Sequence, residues 1–182
     1  KAWALFGIGQ VNEATTAFDE LAKQAPLRPF AMYHKGLALA LVGDFEGALK
    51  AMDDKATEPL QSTRRYTLAK AQILSQLERN PDAVALLEKN FGDNPAPGFA
   101  DLRHRLETGK PLPFNMVETA RDGISEAFYS TALVSINQTT DPETLSYARL
   151  AAFLRPADVD VTLLVATILE KTGQNDLAAD AY

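Results

Sequence analysis

A set of small, aromatic and turn residues returns along this chain about every 34 residues, and that period calls for a stack of helix pairs rather than one closed core. Gly9, Val11, Ala14, Phe18, Leu21 and Pro26 set the phase. Gly43, Phe45, Ala48 and Met52 fall in the same places, and Gly173, Ala178 and Tyr182 recover the phase near the end. Within a unit the apolar residues step by three and four, as Ala14, Phe18 and Leu21 do, which is the spacing of one helix face.

The units read as follows. Lys1–Ile8 and Val11–Gln24 form a first pair around Gly9-Gln10, and Pro26 and Pro29 then break the chain and start the next unit. Met32–Val42 and Phe45–Asp53 form the second around Gly43-Asp44. Gly36 lies in the middle of the first of these helices, where glycine costs about 1 kcal/mol against alanine, so a closely approaching partner helix is expected there. The third pair runs from about Gln61 to Leu77 and from Pro81 to Asn90, with Asn80 as cap and Pro81 at the first helical position. Here Ala71 replaces the small glycine, Ala83 replaces Ala48, and Pro95 closes the unit. Asp122–Asn137 and Pro142–Leu154 form the fourth, its second helix starting at Thr140-Asp141-Pro142-Glu143 and ending before Pro156. Asp158–Lys171, a turn at Thr172-Gly173 and a helix from Asn175 form the fifth.

Residues 96–121 break the period. They insert one helix, Gly98–Glu107, and an extended piece, Gly109–Phe114, because prolines on both sides of Leu112 forbid a helix there. The insert is either a spacer that re-phases two halves or a hinge or docking segment. The chain thus divides into 1–95, 96–121 and 122–182.

These residues resemble the tetratricopeptide repeat family over nearly all of the chain except the insert. The motif is degenerate, and the weight lies in five units holding near-constant phase. Two departures stand out: Glu78-Arg79 replaces the usual turn glycine, and Thr144 replaces the packing alanine. The stretch from Ala100-Asp101-Leu102-Arg103 through Asp122-Gly123-Ile124-Ser125-Glu126-Ala127 is also similar to one in envelope-associated bacterial repeat proteins, which implies a bacterial envelope location. The resemblance implies an all-α, right-handed solenoid of about five helix pairs whose first helices line a concave, protein-binding face. Projected onto that face, the second unit offers Phe30, Tyr33, His34, Leu37 and Leu41. The third offers Arg65, Gln72 and Gln76, and the fourth Glu126, Tyr129, Leu133 and Asn137. Tyr33, His34, Leu37, Arg65, Gln72, Gln76, Tyr129 and Asn137 are the candidate partner contacts. Aromatic anchors beside amide and guanidinium donors suit an extended peptide or a helix. The family's clamp for C-terminal carboxylates is not kept: Trp3 and His34 stand where it has asparagines, Ala69 where it has a basic residue, and only Arg65 matches.

The residue inventory argues against catalysis. There is no cysteine, and the two histidines, His34 and His104, lie on elements far apart in repeat order, so neither a thiolate nucleophile nor a tight zinc site is expected. Asp53-Asp54 and Glu58 lack the spacing and central glycine of a calcium loop. Gly7-Ile8-Gly9 is a lone Gly-x-Gly with no strand before it. Asn137-Gln138-Thr139 fits a glycosylation acceptor, a pattern frequent by chance. No cofactor is expected. The net charge of −6 disfavours nucleic acid, and residues 1–111 balance, so the excess lies in the final third. No apolar run approaches the length of a membrane span. The chain opens on Lys1 inside one amphipathic pattern and stops at Tyr182 inside another, so it reads as a piece of a longer protein. The leading expectation is a non-enzymatic scaffold for a protein or peptide. Two alternatives stay open: a recruiting domain of a larger enzyme or assembly, and self-association through the apolar ends.

Overall fold

The computed structural model describes residues 1–92, 97–136 and 142–181, and these are all-helical with no strand among them. Pro95, the Thr140-Asp141 helix start and Tyr182 lie outside the described residues. The chain forms two compact units, Lys1–Glu118 and Thr119–Tyr182, so residues 97–118 pack as part of the first.

The first unit contains α1 (Ala2–Gly7), α2 (Val11–Ala22), α3 (Arg28–Leu41), α4 (Phe45–Met52), α5 (Arg64–Gln76), α6 (Asn80–Phe91) and α7 (Pro97–Glu107). Short 3-10 segments, Ala25–Leu27 and Lys55–Leu60, precede α3 and α5. The second contains α8 (Ala120–Ser135), α9 (Pro142–Leu154), α10 (Val159–Lys171) and α11 (Asn175–Ala181). Helices pack mainly on their neighbours in sequence: α1 on α2, α3 on α4, α5 on α6, α8 on α9, and α10 on α11, with α2 on α3, α4 on α5, α6 on α7 and α9 on α10 linking the pairs.

One turn recurs. Gly9, Gly43, Glu78, Gly109 and Gly173 all have left-handed backbone, with φ of 82°, 84°, 59°, 74° and 75°. In each case the next residue's N–H reaches back five positions: Gln10 to Leu5, Asp44 to Leu39, Arg79 to Leu74, Lys110 to Arg105 and Gln174 to Leu169, at 2.9–3.0 Å. This closure satisfies helix-end carbonyls that would otherwise lack donors. The sequence marks Glu78 as a missing turn glycine, and the backbone makes the glycine turn there nonetheless. Helix α7 ends in the same closure, so the inserted helix behaves like the first helix of a pair whose second helix is replaced by an extended segment.

Several helix starts differ from the sequence reading, among them α5 at Arg64 rather than about Gln61 and α8 at Ala120 rather than Asp122, and two others turn on a single residue. Helix α3 begins at Arg28 rather than Met32, because Pro29 sits in the first turn, where a missing N–H costs nothing. Helix α6 is capped by Arg79 rather than Asn80, whose side chain is used elsewhere. The close approach expected at Gly36 is present: a Cβ there would lie 2.7 Å from Met52 Cγ and 3.2 Å from the Ala48 carbonyl oxygen on α4.

The second unit has its own core, Ala132, Ala148, Leu164, Val165, Ile168, Leu169 and Ala178. Its first helix starts at Ala120 behind a capping box, in which Thr119 Oγ1 accepts from the Asp122 N–H at 3.2 Å and Asp122 Oδ2 accepts from the Thr119 N–H at 2.9 Å. Ser125 is buried inside the same helix and donates its hydroxyl to the Ala151 carbonyl on α9 at 2.8 Å.

Candidate binding surface

Gln72, Ser75 and Gln76 stand three and four residues apart on α5 and therefore share one face. Residues 110–117 have no helix or strand assignment, and part of this stretch lies across that face. Ser75 Oγ accepts from the Leu112 N–H at 2.8 Å, and Gln76 Nε2 donates to the Leu112 carbonyl at 2.6 Å. Gln72 uses both ends of its amide on Asn115: Nε2 donates to Asn115 Oδ1 at 2.7 Å, and Oε1 accepts from the Asn115 N–H at 3.1 Å. Side chains of α5 thus read the backbone of the segment as a neighbouring strand would.

The apolar side chains of the segment alternate as an extended backbone requires. Pro111 and Pro113 are exposed, Leu112 is 2% exposed, and Phe114 is half-buried with its ring 6.4 Å from that of Phe45. A polar relay fixes Ser75. Its hydroxyl donates to Asn80 Oδ1 at 2.8 Å, while Asn80 Nδ2 donates to the Leu106 carbonyl at the end of α7 at 3.4 Å. With its own proton committed, Ser75 Oγ is left as an acceptor aimed at Leu112. Asn80 was legible as a helix-start residue; its second task, tying α5 to α7, has no signature in local spacing.

The other candidate contacts are distributed as follows. Tyr33, His34 and Leu37 lie on α3 and are buried, Leu37 completely. The Tyr33 ring stacks 6.0 Å from that of Tyr66 on α5 and meets His34 edge-on at 5.4 Å. Trp3 Nε1 donates to His34 Nδ1 at 3.2 Å, with Phe18 stacked on the imidazole. The two residues that stand in place of the clamp's asparagines are therefore bonded to each other. Arg65 is buried on α5. Tyr129 packs half-buried against the core of the second unit, and Asn137 lies outside the described residues, as does the glycosylation pattern 137–139. Of the eight, Gln72 and Gln76 are brought together on a surface that already holds an extended chain.

A second depression, about 250 Å³, lies between α6 and α7 and is lined by Leu87, Phe91, Phe99, Arg103 and His104. Arg103 spans its rim, 2.7 Å from Glu107 and 3.4 Å from Glu88. Two groups elsewhere have perturbed acidity. Burial pushes the Tyr66 phenol up, against the opposing hydrogen bond from Thr57; the phenol also donates to the Met52 carbonyl. The guanidinium of Arg28, bonded to Asp54 at 2.7 Å, holds that carboxyl below the usual carboxylate range, helped by the Ala56 N–H. Tyr66 lies in the first turn of α5, and Asp54 caps the 3-10 segment Lys55–Leu60. Among the described residues no group of three or more His, Asp or Glu is placed to hold a metal, and no helix is long and apolar enough to cross a membrane.

The structure is an all-helical chain of paired helices in which the chain's own residues 112 to 115 lie across one face of α5. No protein-family model, curated protein or solved structure matches the chain.

Proposed function

We propose that this chain is a tetratricopeptide-like solenoid that acts as a non-enzymatic scaffold, binding an extended segment of polypeptide on the face of its first-of-pair helices. The observation that carries this reading is the row Gln72, Ser75 and Gln76, which satisfies both backbone groups of Leu112 and the backbone N–H of Asn115. Side-chain amides that pair with main-chain groups supply affinity without dictating sequence, and neighbouring pockets then supply specificity. The recurring helix closure at five positions supports the repeat reading.

Selection from a random peptide display library against the whole chain tests it. Enriched peptides that bind in solution and lose binding in a Gln72→Ala, Gln76→Ala variant of unchanged helix content are expected. A library that yields no binder to any surface of the chain would count decisively against a peptide scaffold. Truncating Tyr33 or Leu37 is the wrong probe, because both lie in the core.

A further inference from the structure

We infer that the α5 face is a self-occupied peptide site: residues 111–116 are a tethered stand-in for a partner peptide of extended backbone, with a leucine and an aromatic two residues apart and an asparagine after them. This rests on the scaffold reading above and adds what the site takes and what holds it closed.

Three observations carry it. First, the attachment is of the kind an exchangeable peptide makes. Among the described residues, residues 111–115 form no backbone–backbone hydrogen bond, and Leu112 and Asn115 are held by side chains of α5. Any extended chain can offer the same backbone groups at the same spacing. Second, the side-chain requirements are specific. Leu112 fills a closed position, Phe114 meets Phe45, and the Asn115 side chain accepts from Gln72 Nε2 through Oδ1 while its backbone N–H donates to Gln72 Oε1. Any residue but proline can supply the backbone N–H, so the discrimination lies in the single side-chain acceptor that Gln72 Nε2 meets, which a residue without one leaves unpaired. Third, the prolines at 111 and 113 point outward and touch the site least, yet they hold the backbone extended before it docks, which lowers the ordering cost.

The tether explains why the site is filled. The segment leaves the turn at Gly109 and re-enters a helix at Ala120, so its local concentration at α5 is in the millimolar range expected of short links. A free peptide of equal intrinsic affinity is then reduced in apparent affinity by the small fraction of time the face is open. A partner either carries a better version of the pattern or meets a chain whose segment has been drawn away.

The test uses the full chain and a labelled synthetic peptide with the sequence of residues 110–117, followed by fluorescence anisotropy. A Leu112→Ser, Asn115→Ala variant weakens the tethered occupant without touching α5. It is expected to bind the peptide at least about tenfold more tightly than the unaltered chain. Adding Gln72→Ala and Gln76→Ala is expected to abolish that gain. Equal or absent binding by a variant that keeps its helix content overturns the inference. Should the variant unfold, hydrogen exchange on the unaltered chain decides. Leu112 and Asn115 amides exchanging much faster than Ile73 inside α5 support an occupant that lifts off, whereas exchange at the Ile73 rate makes the segment part of the core and overturns it. A library-selected peptide that binds unaltered and released chains equally would leave the scaffold reading standing and remove self-occupancy alone.

Discussion

At the scale of single residues, the informative positions are those where one side chain decides between two backbone or packing states. Glu78 is the one described non-glycine residue with positive φ, and it occupies a turn that glycine fills at four other places. Left-handed backbone costs a side-chain-bearing residue about 1–2 kcal/mol, and glycine returns part of that through the unfolded chain. Glu78→Gly is therefore expected to stabilise the first unit by about 0.5–1 kcal/mol in urea denaturation. Gly36 runs the other way. Alanine gains about 1 kcal/mol in helix propensity but collides with buried Met52 and the Ala48 carbonyl, and overpacking of this kind costs about 1–3 kcal/mol. Gly36→Ala is expected to lower the urea midpoint. The departure at Glu78 and the closeness at Gly36 were both readable from the repeat register, because each is a residue out of place in a periodic pattern. Tyr66 supplies a pH dependence. Its folded pKa lies above the unfolded value, so the folded state keeps a proton that the unfolded chain releases. Stability is full below the ordinary tyrosine range, about pH 10, and falls as pH rises through it. The difference in urea midpoint between the unaltered chain and Tyr66→Phe is expected to shrink over that interval.

At the scale of elements, helices were legible and their ends less so. Apolar steps, repeat register and proline positions placed the long helices, but α3 was read from Met32 where Pro29 already lies in its first turn, and Asn80 was read as a cap where it is a tie between α5 and α7. Proline and asparagine serve both purposes, and the choice depends on neighbours distant in sequence. The extended character of 109–114 was equally legible from its prolines; that it docks on α5 was not, because no local spacing encodes a contact 36 to 43 residues away. Likewise the projection onto a concave face placed Tyr33, His34 and Leu37 with Gln72 and Gln76, whereas Tyr33, His34 and Leu37 pack between helices, and Gln72 is buried too, bonded to Asn115. Helical periodicity names a face but not which of two buried sides it meets. The start of α8 makes a prediction of its own. Thr119→Ala removes one half of the capping box and is expected to destabilise the second unit by about 1 kcal/mol, measured as a shift in its denaturation midpoint.

At the scale of the whole molecule, two compact units imply two unfolding events, and the sequence provides a probe for one of them. Trp3 is the single tryptophan and is buried in the first unit against His34 and Phe18, while helical circular dichroism reports on both units. Urea curves followed by tryptophan fluorescence and by far-ultraviolet dichroism are expected not to coincide. Glu78→Gly should move both curves, and Thr119→Ala the dichroism curve alone. Coincident curves that shift together with either substitution would show one cooperative fold instead. The long reach of the segment over α5 also has a consequence in time. Helix α5 is synthesised about 40 residues before the stretch that covers it, an interval of about 2–8 s at ordinary elongation rates of about 5–20 residues per second. Every newly made copy therefore passes through a period in which α5 has been translated and its cover has not, and a peptide present at the ribosome meets that face before the chain can supply its own.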